Sequence, residues 1–167
     1  MINNAQFATH MPVLVRAFDL SEGDILEVGT GYFSTWTLDW LCNIFNRKLI
    51  SYETSPRWYN RFKKMQSAFH DIILVDSWDK VPFEEKHWGL AFIDCDPHAS
   101  RATAIERLKD NADYIVAHDT EPSAEVSYDY PRIYPLFKYR FDYQKCEPWT
   151  SVFSNFHSLA KFKSNTK

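Results

Sequence analysis

Five short apolar runs, each stopped by a polar or glycine-rich signal, constrain this chain more than any other feature. They are Asp24–Val28, Leu49–Glu53, Ile72–Val75, Leu90–Ile93 and Tyr114–Ala117. Their length and β-branched content read as strands buried on both faces. Between them lie stretches at helical spacing. Phe33 to Phe45 aligns Phe33, Thr37, Leu41 and Ile44, and Ser100 to Lys109 aligns Ala104, Ile105 and Leu108. A further helix opens at Ser55-Pro56, where Ser suits the N-cap and Pro the first helical position. Strands alternating with helices predict an α/β fold built on a doubly wound, mostly parallel sheet with right-handed crossovers. Tyr139–Tyr143 and Ser151–Phe156 alternate in polarity and read as an antiparallel edge pair, bringing the sheet to seven strands. From Glu121 to Pro135 there is no period, and this predicts a long loop that walls or covers a site. Thr9–Leu14 reads as a short helix closing over a ligand with His10 beside it, and Lys161–Lys167 as a frayed basic tail.

The length of 167 residues suits one domain, residues 1–167, and no repeat or linker divides it. The net charge of −3 lacks the basic excess of an electrostatic nucleic-acid or membrane binder. Arg57, Arg61, Lys63 and Lys64 share one helix and read as a solvated face. No apolar run approaches the ~18 residues of a membrane span. The opening Met1-Ile2-Asn3-Asn4 lacks the order of a signal peptide. Cys42, Cys95 and Cys146 form no disulfide frame, so a cytoplasmic setting is expected.

In an open α/β sheet, ligands bind beyond the carboxyl ends of the strands, where strand order reverses. Here those ends carry Glu27-Val28-Gly29-Thr30-Gly31, Glu53, Asp76, Asp94 and His118-Asp119. The chain has only four glycines and places two of them in one turn, where a backbone can approach a ligand without a Cβ in the way. Glu53 falls 22 residues beyond Gly31, a spacing that suits a carboxylate facing ribose hydroxyls. The third glycine of a dinucleotide fingerprint is missing, since Tyr32, Phe33 and Ser34 follow Gly31. The P-loop lysine is missing too, so a nucleoside without phosphates is expected.

These residues, Glu27-Val28-Gly29-Thr30-Gly31 with Glu53, Asp76 and Asp94, resemble the class I S-adenosylmethionine-dependent methyltransferases over about residues 10–119. The resemblance implies a Rossmann-like methyltransferase fold, S-adenosyl-L-methionine as cofactor and transfer of its methyl group. It implies that Glu27, Gly29, Gly31, Tyr32 and Ser34 surround the methionine part, Glu53 the ribose, and Asp76, Ser77 and Trp78 the adenine. The chain departs from the pattern at Phe33, where the family often has a small residue. Glu27, Tyr32, Trp36 and Trp78 offer the carboxylate and π faces that a sulfonium favours.

On the acceptor side, Asp94, His118 and Asp119 are the expected catalytic residues, with His118 or Asp119 as general base and Asp94 orienting it. The expected acceptor is a small molecule or sugar methylated on oxygen, with neither nucleic acid nor membrane as partner, and a homo-oligomer is left open. Asp94, His118 and Asp119 resemble the set that binds a divalent ion in small-molecule O-methyltransferases. A metal is not favoured, because His in place of a carboxylate weakens a Mg²⁺ site. Two other readings stand beside this one: a nicotinamide-dependent oxidoreductase, and a non-catalytic nucleoside-binding module of the same fold.

Overall fold

The computed structural model describes residues 4–163. The basic tail beyond residue 163 lies outside the described residues. The strands are β1 (Ile25–Val28), β2 (Leu49–Glu53), β3 (His70–Leu74), β4 (Trp88–Ile93), β5 (Ala112–His118), β6 (Tyr139–Tyr143) and β7 (Thr150–Ser154). The helices are α1 (Met11–Leu20), α2 (Ser34–Phe45), α3 (Pro56–Phe62), α4 (Ser100–Leu108), α5 (Pro122–Glu125), α6 (Tyr130–Ile133) and α7 (Ala160–Lys163).

One seven-stranded sheet runs in the order β3-β2-β1-β4-β5-β7-β6. β1 to β5 are parallel, whereas β7 is antiparallel to β5 and β6 is antiparallel to β7. Successive strand residues point to opposite faces, so each buried strand feeds two cores. Ile25, Leu90, Phe92, Tyr114 and Val116 pack under α1 and α2. Leu26, Ala91, Ile93, Ile115 and Ala117 pack on the other face against Ala104, Ile105 and Leu108 of α4. That division explains why these strands are apolar over most of their length.

Two local expectations change. The first helix does not stop at Leu14: it runs to Leu20, because Ala17 and Phe18 continue the buried face of Val13 and Leu14. It therefore belongs to the core rather than forming a small flap. The segment from Glu121 to Pro135 is not one open loop either. It folds into α5, α6 and a 3-10 turn at Tyr134–Leu136, with Tyr130 and Ile133 fully buried. Among the described residues no helix is long and apolar enough to cross a membrane.

Candidate functional site

Strand order reverses between β1 and β4, and the chain makes its closest backbone approach there. Val28 pairs with Ile93, and the Asp94 amide donates to the Val28 carbonyl at 3.0 Å. Gly29 follows at φ +92, and a Cβ on it would stand 2.6 Å from the Asp94 carbonyl oxygen and 2.8 Å from the Cys95 Cα. Only glycine serves there, for both reasons. The turn is thereby pressed against the end of β4.

On the β1–β2 side, acids are held by neutral donors. Glu27 is fully buried, and the Thr35 hydroxyl donates to it at 2.9 Å. The Gly31 amide donates in turn to Thr35 Oγ1 at 2.9 Å. Ser51 Oγ lies 2.6 Å from Glu27 and 2.8 Å from His70 Nε2, while His70 Nδ1 lies 2.8 Å from Asp39. Burial pushes the Glu27 carboxyl up to about 7, against the hydrogen bonds of Ser51, Ser34 and Thr35. Glu27 thus lies beneath the glycine turn rather than beside the cleft. Glu53 accepts from the Thr30 amide and hydroxyl at 2.9 and 2.8 Å, and from the Thr54 and Ser55 amides at 2.8 Å each. Both of its oxygens are engaged within the chain.

The remaining residues expected around a nucleoside spread outward from this turn. Ser34 is buried at the start of α2, and Gly31 keeps only Ser34 Oγ near its missing Cβ, at 3.2 Å. Tyr32 is half exposed and meets Trp58 edge-on. Ser77 accepts from the Asp79 amide, and Trp78 is buried with its Nε1 donating to the Asp96 carbonyl at 2.7 Å. Asp76 stands in solvent, paired with Lys80. A cavity of about 230 Å³ opens beside Trp78, bounded by Ala99, Thr103 and Arg107. Trp36 is 57% exposed on the outer side of α2 and takes no part in the site.

On the β4–β5 side, the acids are held by a buried cation. Arg101 of α4 is 4% exposed and bridges Asp94 at 2.8 Å and Asp119 at 2.9 Å. Its remaining N–H groups donate to the Cys95 and His118 carbonyls. Tyr128 lies under the guanidinium at 4.7 Å, and Tyr130 donates to the His118 carbonyl at 2.9 Å. The proline- and tyrosine-rich segment is therefore a wall behind Arg101, not a flap. Burial opposes ionisation of Asp94, but His118 and Arg101 outweigh it and hold the carboxyl well below the usual range. Burial likewise opposes charge on His118, yet Asp94 and Asp119 raise its pKa. Asp94, His118 and Asp119 do converge. Sequence reasoning missed Arg101 and Thr9, whose hydroxyl lies 2.8 Å from His118 Nε2.

A Mg²⁺-like ion, as implied for Asp94, His118 and Asp119, does not fit these residues. Mg²⁺ requires free oxygen ligands. Here one oxygen of each acid is taken by Arg101.

No protein-family model and no curated protein matches the sequence. Solved structures do match in fold. A human methyltransferase 10 domain containing protein aligns over 88% of this chain and 83% of its own, at TM-score 0.63 and 12% identity. The N-terminal domain of human METTL16 in complex with SAH aligns over 89% of this chain and 71% of its own, at TM-score 0.63 and 11% identity. The METTL16 catalytic domain in complex with MAT2A 3'UTR hairpin 1 aligns over 87% and 70%, at TM-score 0.59 and 10% identity. The chain therefore has the Rossmann-like methyltransferase fold. The expected small-molecule acceptor, with nucleic acid disfavoured, is corrected by the same comparison, because the solved domains of this shape include one bound to an RNA hairpin. Net charge does not exclude a nucleic acid, because it averages over the whole surface, whereas a nucleic acid meets one face.

Proposed function

We propose that this chain is an S-adenosylmethionine-dependent methyltransferase whose acceptor is RNA. The observation that carries the reading is the switch point itself. Gly29 abuts Asp94 there, between two sets of rim acids, in a fold shared with a methyltransferase domain solved with SAH. The cofactor supplies an electrophilic methyl group on a sulfonium sulfur.

The chain's own residues divide the remaining work. Gly29, Gly31, Tyr32 and Ser34 shape the seat for the methionine part, with Glu27 bracing the turn from below. Glu53 takes the ribose hydroxyls in place of the Thr30 hydroxyl it now holds. Asp76, Ser77 and Trp78 flank the adenine, next to the cavity beside Trp78. Asp94, kept ionised by His118 and Arg101, is a weak base, so it orients the acceptor by accepting a hydrogen bond from its N–H or O–H group. His118 has both ring nitrogens engaged, with Thr9 on one side and the two acids on the other. It supports Asp94 and does not take the acceptor's proton. Asp119 completes the clamp on Arg101. Proximity and orientation then carry most of the rate.

A local surface supports RNA as acceptor. From Ser55 to Met65 the chain carries Arg57, Arg61, Lys63 and Lys64 and no acid. Arg61 stands 5.0 Å from the Tyr32 ring and 5.3 Å from the Trp58 ring. Cations interleaved with aromatic faces suit unpaired bases and their phosphates. This face flanks the glycine turn through Tyr32.

The test is incubation with methyl-tritiated cofactor and a mixed RNA pool. Saturable cofactor binding with label in the RNA is expected. Cofactor binding without label in RNA overturns the acceptor, and tighter binding of NADH than of S-adenosylmethionine overturns methyl transfer.

A further inference from the structure

His10 is the most anomalous polar group among the described residues. It is 2% exposed, and neither ring nitrogen has a hydrogen-bond partner. A buried imidazole without partners is costly, and such a group asks for a ligand. It precedes α1 without capping it, so helix capping does not explain it. One ligating atom each from His10, Asp94 and His118 lies within 4.8 Å of the other two.

The hydrogen bonds around His118 point the same way. The Thr9 hydroxyl donates to the Gln6 carbonyl at 3.3 Å, so its oxygen accepts from His118 Nε2–H at 2.8 Å. That assignment, inferred from the network, turns Nδ1 toward Asp94 at 3.5 Å and Asp119 at 3.4 Å. A nitrogen facing two carboxylates must carry either a proton or a cation. Asp94 gives one oxygen to Arg101 and keeps the other toward His118.

We propose that His10, Asp94 and His118 bind one late first-row transition-metal dication, of the Zn²⁺ or Co²⁺ class, fastening the segment before α1 to the rim of β4 and β5. Two imidazoles and one carboxylate suit such ions and not Mg²⁺. Metal–ligand bonds of about 2.0–2.2 Å require the three donors to draw together by roughly 1 Å. Binding releases one proton from His118 Nδ1 to solvent. Thr9 then serves as the outer partner that fixes the His118 ring. Three protein donors leave coordination positions open. The site does not depend on the methyltransferase reading.

The experiment uses the full chain, stripped with chelator, dialysed and titrated with Co²⁺. One equivalent is expected, with visible ligand-field absorption that Zn²⁺ abolishes at one equivalent and excess Mg²⁺ leaves intact. Zn²⁺ raises the thermal midpoint of the parent. His10→Ala weakens Co²⁺ binding on the order of 100-fold, and Thr9→Val by about 10- to 100-fold, as expected for an outer-shell loss. Absence of a Co²⁺ spectrum and of a Zn²⁺-dependent midpoint shift in the parent overturns the site. Unchanged affinity in His10→Ala, or in Thr9→Val should His10→Ala not fold, overturns it equally.

Discussion

The two halves of the rim hold their acids by opposite means. On the β1–β2 side, Glu27 and Glu53 are met by hydroxyls and backbone amides. On the β4–β5 side, Asp94 and Asp119 are met by one buried guanidinium. Neutral donors do not cancel the burial penalty of a charge, so the Glu27 carboxyl rises to about 7. The hydrogen bond from His118 and the Arg101 cation together more than cancel it, so Asp94 falls. One half of the rim can yield its hydrogen bonds to an incoming nucleoside, while the other keeps a fixed field where an acceptor would sit.

The largest expected effect falls on the cationic half. Arg101→Met leaves two partly buried carboxylates uncompensated and should cost about 3–5 kcal/mol of folding stability, read by urea denaturation. A loss below about 1 kcal/mol would mean that Arg101 is not the clamp.

On the neutral half, the contrast is read in pH. The folded carboxyl of Glu27 titrates above its ordinary value of 4.5, at about 7. The native state therefore binds the extra proton, and stability falls as pH rises through this window. Relative to Glu27→Gln, the parent should lose about 3 kcal/mol between pH 4.5 and 7 and then level off. The comparison with the variant is needed because other groups, His10 among them, titrate over the same range. A constant difference across this range would show that Glu27 is ionised in the fold.

Cofactor binding gives the next effect. Glu53→Ala should weaken S-adenosylmethionine binding by about 1–3 kcal/mol in calorimetry, the cost of unpaired ribose hydroxyls. Equal affinity would remove Glu53 from the ribose. The smallest effect belongs to the exposed face beyond Tyr32. Arg61→Ala should weaken RNA binding by about 0.5–1 kcal/mol and lower the salt slope by about 1. An unchanged slope would place the RNA elsewhere.

Much of this molecule is legible in its sequence. The five apolar runs locate the parallel strands to within about two residues, since most positions in them are covered by packing on both faces. The carboxyl-end residues Asp94, His118 and Asp119 can be grouped in advance, because parallel strands must end on one side. Two further signals are present but quiet. Ala17 and Phe18 extend the face of Val13 and Leu14, and so carry α1 to its full length. Arg101 stands on the same stripe as Ala104, Ile105 and Leu108, and an arginine on an apolar face marks a buried ion pair.

The sequence alone determined the sheet, its rim and the glycine at the switch point, because periodicity and backbone sterics are local properties. Only the tertiary structure decided which partners the rim residues have. Glu53 meets Thr30, Asp94 meets Arg101, and His118 meets Thr9 across a separation of 109 residues. Packing likewise leaves both ring nitrogens of His10 without a hydrogen-bond partner. Burial and charge act through space, and the order of residues along a chain does not reveal which side chains packing will bring into contact.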